Sequence, residues 1–172
     1  MKKLKNEKGI GLVTFILIFA GILIIAGIIV GAIVVNKNLN KQSISANEFK
    51  KMMEEKDFEI FDAKESQFKD YDYVKRAYVA LEEDYDYKIE FYKLAEEDNA
   101  ISFYKTNKEI FENSKDSVSA EKSISLGNNS KYTLKTKDKY KVVSRIENTV
   151  IYVDVDAKYE DEVKEILKEI GY

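Results

Sequence analysis

The sequence predicts an α+β fold: a transmembrane helix at residues 9–35, then an exterior domain at residues 44–172 whose antiparallel sheet carries helices on one face. Three observations predict this. Gly9 to Val35 is an unbroken apolar run. Six short segments after residue 57 have the apolar residues of strands, as an alternating pattern in 87–94 or as β-branched and aromatic residues in 74–81. Three other segments repeat apolar residues at helical spacing.

The apolar run contains no charged residue, Asn, Gln or Pro. A helix from Ile10 to Val35 would be about 39 Å long, whereas a bilayer core is roughly 30 Å thick. The core of a cleaved signal peptide is shorter and ends in small residues, but this run ends at Val35-Asn36. The chain has no cysteine that a lipid could modify. These features predict an uncleaved, single-pass signal anchor in the lipid bilayer.

Positive charge sets the predicted orientation of the anchor. The lysines before the span are Lys2, Lys3, Lys5 and Lys8. Only Lys37 and Lys41 follow it closely. An excess of lysine marks the cytoplasmic side, so residues 1–8 are predicted to be a cytoplasmic tail. Residues 36–43 are polar and are predicted to link the anchor to an extracytoplasmic domain.

The anchor also contains a candidate helix-association motif. Gly27 and Gly31 are spaced by one helical turn in the pattern Gly-x-x-x-Gly. Small residues at this spacing let two membrane helices approach closely. The motif predicts a possible homodimer through the transmembrane helix, and the alternative is a monomeric tether.

The composition of the exterior part limits its partners. After residue 35 the chain has 24 basic and 30 acidic residues. A net charge of −6 argues against nucleic-acid binding, which needs a basic surface. Without cysteine, no disulfide can stabilise the domain, so its stability must come from its core.

The first half of the domain is predicted to contain a helix and three strands. Ser45 and Glu48 have the spacing of a capping box that would start a helix at about 46–56. The strands are predicted at 58–63, 74–81 and 87–94. A turn near Glu82–Asp86 would join the last two as a hairpin.

The second half is predicted to repeat that order. A helix at 96–113 has an apolar stripe that Asn107 interrupts, and the polar segment 114–129 is predicted to be a surface loop. Strands at 131–135, 139–146 and 149–155 would form an antiparallel meander. A strongly amphipathic helix at 158–170 follows, with Gly171 at its C-terminal cap. The repeated order of a helix and three strands suggests a duplicated αβββ unit.

The residue types present restrict the available chemistry. The chain has no His and no Cys, which excludes Ser-His triads, Cys-His dyads and imidazole or thiolate metal sites. Ser-x-x-Lys occurs at Ser66/Lys69, Ser102/Lys105 and Ser119/Lys122, a number that chance explains. The sequence therefore predicts no catalytic residue, metal or cofactor, and the enzyme alternative is a cell-envelope enzyme that uses only carboxylates or Ser and Lys.

An Asp-Tyr-Asp-Tyr motif occurs twice, at 70–73 and 84–87. Clustered carboxylates could bind calcium or act as glycosidase acids. The two copies flank one predicted strand, so they would lie about 30 Å apart at 3.3 Å per residue. The favoured interpretation is structural, with Tyr packed inward and Asp facing water.

Lys8-Gly9-Ile10 before a long apolar helix resembles the cleavage site of type IV prepilins, although Thr14 stands where that family has a Glu. This resemblance covers about the first 30 residues and implies a pilin-like subunit (a minor pseudopilin). More broadly, the layout resembles small single-pass membrane-anchored extracytoplasmic proteins of unassigned function from low-GC Gram-positive bacteria. The prediction for function is a non-catalytic, membrane-anchored extracytoplasmic binding or protein-interaction module, with an envelope protein or polymer as its partner and pilin-like assembly as an alternative.

Overall fold

The computed structural model describes residues 39–115 and 117–172. The predicted cytoplasmic tail, the predicted transmembrane helix and its Gly27 and Gly31 lie outside these residues. Within the described ranges, no helix is long and apolar enough to cross a membrane. Residues Asn40–Tyr172 form one compact unit.

Among the described residues, this unit contains four helices and seven strands. The helices are α1 (Ala46–Glu54), α2 (Lys64–Gln67), α3 (Glu97–Asn113) and α4 (Glu160–Glu169), with a single 3₁₀ turn at Ala157–Tyr159 before α4. The strands are β1 (Glu59–Asp62), β2 (Val74–Leu81), β3 (Lys88–Leu94), β4 (Val118–Leu126), β5 (Asn129–Thr136), β6 (Lys139–Ile146) and β7 (Thr149–Asp156).

All seven strands form one antiparallel sheet in the order β1-β2-β3-β7-β6-β5-β4. The prediction of an α+β fold with an antiparallel sheet is confirmed, as are the β2–β3 hairpin and the β5–β6–β7 meander. Two meanders, β1–β3 and β4–β7, meet where β3 pairs with β7 in the middle of the sheet. α3 joins the two meanders.

The expectation of a loop at 114–129 is wrong, because Val118–Leu126 is the edge strand β4. β4 has a strand neighbour on one side only, and its charged Glu121 and Lys122 are exposed. Polar residues suit an exposed edge and hide the apolar alternation that marks a half-buried strand. The second half therefore has four strands, and the duplicated αβββ unit is not observed.

Helices cover both faces of the sheet, so the expectation of helices on one face is wrong. Adjacent residues of β3 show this: Phe91 stacks on Phe49 of α1 with ring centroids 4.9 Å apart, whereas Tyr92 contacts Phe103 of α3 at 4.7 Å. One core lies beneath α1 and α4, and the other lies beneath α3. The central strands bury consecutive apolar residues, such as Val150 and Ile151, so each face needs a cover.

The predicted starting signal of α1 is confirmed. The Ser45 hydroxyl accepts from the Glu48 N–H at 3.2 Å, and the Ser45 N–H donates to the Glu48 carboxylate at 2.7 Å. Phe49 and Met53 on the inner face are fully buried. Ile44, just before the cap, packs against the same core. The capping box therefore fixes where the chain enters the domain.

The predicted end of the last helix is also confirmed. Gly171 has a φ of +86°, the left-handed conformation that glycine adopts without strain. Its N–H donates to Lys168 O at 3.2 Å, and the Tyr172 N–H donates to Leu167 O at 2.7 Å. These two bonds form a Schellman cap. The cap turns the chain so that the ring of Tyr172 is buried beneath α4.

The last residues of the predicted linker lie against the domain. Lys41 N–H donates to Asn128 Oδ1 at 2.9 Å, and Asn128 Nδ2 donates back to Lys41 O at 2.7 Å. Lys41 Nζ donates to Gly171 O at 3.1 Å, and the Ser43 hydroxyl donates to Glu147 at 2.7 Å. These bonds join residues 40–43 to two β-turns and the C-terminal helix cap.

Candidate functional site

A pocket with a volume of about 400 Å³ opens beside α3. We call it the α3 pocket, and it is lined by Tyr73, Asn99, Ser102, Phe103, Thr106 and Asn107. Five of these residues come from one side of α3, and Tyr73 comes from the turn before β2. The volume lies within the range of pockets that bind small molecules.

The helical period explains why this side of α3 is available. Ala100, Tyr104 and Phe111 form the buried stripe that packs on the sheet. Phe103 and Asn107 flank the stripe and are half-buried. The polar Asn107 within the apolar stripe is the sequence feature that could have drawn attention to this side of the helix.

Main-chain hydrogen bonds hold the opposite wall of the pocket. Tyr71 N–H donates to Phe68 O at 3.0 Å, and Val74 N–H donates to Tyr71 O at 2.9 Å. Ala95 N–H, just before α3, donates to Tyr73 O at 2.8 Å. The turn that carries Tyr73 is thereby attached directly to the segment that starts α3.

Aromatic rings continue from one wall to the other. In order of contact, they are Tyr73, Tyr71, Phe68, Tyr92 and Phe103, with centroid distances of 5.7, 6.1, 5.5 and 4.7 Å. We call this set the aromatic row. Tyr92 is its buried member, and its hydroxyl donates to Glu90. Burial and then the Glu90 carboxylate raise the pKa of Tyr92, so its hydroxyl remains protonated.

Two hydrogen bonds fix the orientation of the amides in the pocket. Asn99 Oδ1 accepts from the Glu96 N–H at 3.2 Å, so its Nδ2 group keeps both N–H donors. Asn107 Nδ2 donates to Phe103 O at 2.8 Å, so its Oδ1 remains an acceptor. Ser102 and Thr106 are exposed, and their hydroxyls bond to no other side chain in the described ranges. The pocket thus offers donors and acceptors without a formal charge.

The structure separates the two Asp-Tyr motifs, as the sequence predicts, but it places their tyrosines differently. Tyr71, Tyr73 and Tyr85 are 48%, 41% and 60% exposed, so the expectation that they pack inward is wrong. Only Tyr87 is buried. Both motifs lie in turns at the ends of β2, where the alternation of a strand does not apply.

The Ser-x-x-Lys spacings form no Ser–Lys pair in the described part of the chain. Ser66 Oγ donates to Ala63 O at 3.5 Å, and Ser102 faces the α3 pocket without a lysine in its lining. The side chain of Ser119 is outside the described part. Nothing in these positions supports a Ser–Lys nucleophile.

A second cavity of about 230 Å³ lies at the opposite end of α3 and includes Lys137, Lys139 and Lys141. Lys139 pairs with Asp156 at 2.8 Å, and Lys141 pairs with Asp154 at 3.0 Å. Two of its three lysines are therefore neutralised by carboxylates, which makes it a weaker candidate for an anion site.

Among residues 39–115 and 117–172, no group of three acidic side chains is arranged to hold a metal ion. No protein-family model, no curated protein and no solved structure matches this chain. The function is therefore inferred from the chemistry of the domain's own surface.

Proposed function

We propose that the protein is a single-pass, membrane-anchored binding module whose domain lies outside the cytoplasm and recognises its ligand through the α3 pocket. The apolar run at 9–35 and the lysines that precede it support the anchor and its orientation. The folded unit at Asn40–Tyr172 supports the separate domain.

The lining of the α3 pocket is the observation that carries this proposal. Two aromatic rings, Tyr73 and Phe103, stand beside four amide or hydroxyl side chains. Binding sites commonly combine apolar and aromatic surface with a few fixed polar groups. Tyr73 is 41% exposed, so part of its ring is accessible to a ligand.

The same lining supports a non-catalytic role. A general acid or base must lie within hydrogen-bond reach of the reacting group. None of the six lining residues is a carboxylate, lysine or histidine. No residue that lines the pocket could take the proton of the Ser102 hydroxyl as a base.

Protease treatment of intact protoplasts tests the orientation. With the N-terminus in the cytoplasm, added protease digests the domain after Asn36. Permeabilised protoplasts provide the control, because there the protease reaches both sides of the membrane. A domain that is digested only after permeabilisation would overturn the proposed localisation.

Binding by the full chain in phosphatidylcholine nanodiscs tests the site. A panel of neutral oligosaccharides, uncharged peptides and charged peptides is titrated against wild-type protein and Tyr73→Ala. Tyr85→Ala is the matched control, because Tyr85 is an exposed tyrosine of the other Asp-Tyr motif. The proposal predicts one class of ligand that loses binding in Tyr73→Ala and keeps it in Tyr85→Ala. Binding that neither substitution changes would place the site elsewhere.

A further inference from the structure

We propose that the ligand of the α3 pocket is a neutral oligosaccharide, whose sugar rings stack on Tyr73 and Phe103 while their hydroxyls bond to the polar side chains of α3. This inference rests on the proposed function and names the ligand of the same site. It follows from the aromatic surface, the fixed amides, the lack of charge and the arrangement of the polar side chains along α3.

The aromatic surface suits the less polar face of a sugar ring. The C–H groups of a pyranose pack against the electron-rich face of an aromatic ring. Tyr73 and Phe103 supply rings at the pocket, and each contacts a neighbouring ring, Tyr71 at 5.7 Å and Tyr92 at 4.7 Å. Rings held in place lose little conformational freedom when a ligand binds.

The polar groups match the other feature of a sugar, its hydroxyls. Each hydroxyl both donates and accepts a hydrogen bond. Asn99 presents donors and Asn107 presents an acceptor, because their other amide atoms are used within α3. The hydroxyls of Ser102 and Thr106 can do either. Such a combination of donors and acceptors can bond to several neighbouring hydroxyls of a sugar.

The polar side chains of the pocket are arranged along α3, which suits a chain of sugar units rather than a single small molecule. Asn99, Ser102, Thr106 and Asn107 follow one another along a side of α3 at helical spacing. At 1.5 Å per residue, Asn99 and Thr106 are separated by about 10 Å along the helix axis. That is comparable to the length of a disaccharide.

The absence of charge from the lining argues against other ligand classes. Phosphate, sulfate and acidic or basic peptides are bound through side chains of opposite charge, and the six lining residues carry none. An extended peptide gains affinity from main-chain bonds to an exposed strand edge. The walls of this pocket are a helix and a turn.

Calorimetric titration of the full chain in phosphatidylcholine nanodiscs tests the inference, because such nanodiscs carry no sugar headgroup that would compete. The probes are a set of neutral oligosaccharides that includes fully N-acetylated chitotetraose and cellotetraose, and an uncharged Gly/Ser/Asn peptide. We expect an oligosaccharide to bind, and Tyr73→Ala to weaken that binding about tenfold or more, as loss of an aromatic anchor does. Thr106→Val, which removes a hydroxyl at nearly constant shape, should weaken it less, by about fivefold.

Two further variants make the result specific. Tyr73→Phe keeps the ring and should retain most of the affinity, whereas Tyr85→Ala should leave it unchanged. Circular dichroism establishes that each variant is folded. Peptide binding that depends on Tyr73, with no oligosaccharide bound, would overturn the sugar inference and leave the proposed function standing. If no probe binds, or if binding is independent of Tyr73, both fail.

Discussion

Arg145 of β6 donates from Nη1 to the Glu97 carboxylate of α3 at 2.7 Å, although the Arg145 side chain is only 5% exposed. The same nitrogen donates to Glu147 O at 3.0 Å. The pair joins the first turn of α3 to the C-terminal end of β6. Since Asn99 lies on that turn, the pair also positions one end of the α3 pocket.

Glu97→Ala should lower the free energy of unfolding by about 2 kcal/mol, because it leaves a buried guanidinium without its charged acceptor. Asp98→Ala is the matched control, since Asp98 is an exposed acid in the same turn and interacts equally with the helix dipole. Urea unfolding of both variants gives the comparison. If both variants lose the same free energy of unfolding, the bond to Arg145 contributes nothing beyond the interaction of Glu97 with the helix dipole.

A fragment of residues 40–172 should unfold cooperatively, because it contains both cores and the contacts of residues 40–43. A fragment of residues 44–172 lacks the hydrogen bonds of Lys41 and Ser43. At about 1 kcal/mol for each net bond, the shorter fragment should have a lower denaturation midpoint. Thermal and urea unfolding monitored by circular dichroism measure both. Identical midpoints would show that the chain before residue 44 does not stabilise the domain.

The strands that the sequence predicts best are rich in β-branched and aromatic residues. β2 and β6 begin and end at the predicted residues, 74–81 and 139–146. Each has a neighbouring strand on both sides and an apolar pattern that burial imposes. β4 was missed because an edge strand needs no such pattern, so its Ser, Glu and Lys residues indicated a loop.

The arrangement of helices about the sheet was not predictable from local patterns. Pairs such as Val142 and Val143 of β6 are both buried on opposite faces. In the sequence, a short run of adjacent apolar residues does not reveal whether one or two layers of helix cover a strand.

Most residues of the α3 pocket likewise could not be predicted from the sequence. Tyr73 belongs to a turn, and Ser102 and Thr106 belong to the polar side of a helix, which alone indicates only exposure to solvent. Their proximity depends on the bond between Ala95 and Tyr73, which joins distant parts of the chain. Asn107, a polar residue within the apolar stripe of α3, is the one sequence feature that could have drawn attention to this surface.

The lowered pKa of Lys131 predicts that the stability of the domain depends on pH. Burial, and then the positive charges of Lys41 and Lys122, lower the pKa of Lys131 to about 8. An unfolded lysine has a pKa of about 10.4. Between these values the unfolded chain binds more protons, so the contribution of Lys131 to stability rises as the pH rises from about 8 to 10.4.

Lys131→Met removes this titration while keeping the apolar stem. Relative to wild type, the variant should be most stabilised at pH 7, and its advantage should shrink as the pH approaches 10. Urea unfolding of the 40–172 fragment across this range measures the difference. Lys105→Met corrects for the loss of one exposed lysine. An advantage that grows with pH would contradict the sign of the pKa shift.

The last prediction concerns the proposed anchor at residues 9–35, which we propose associates through Gly27 and Gly31. In a helix these glycines lie on one side, where the lack of side chains lets two backbones approach. Gly27→Ile together with Gly31→Ile should therefore reduce the signal of residues 1–43 in a membrane two-hybrid assay. Ile29→Phe is the control, because residue 29 would lie about 200° around the helix from Gly27. Association would bring two binding domains together and raise their effective concentration toward a polymeric ligand. If the glycine substitutions leave the signal at the level of the Ile29→Phe control, the anchor is a monomeric tether and each α3 pocket must bind its ligand alone.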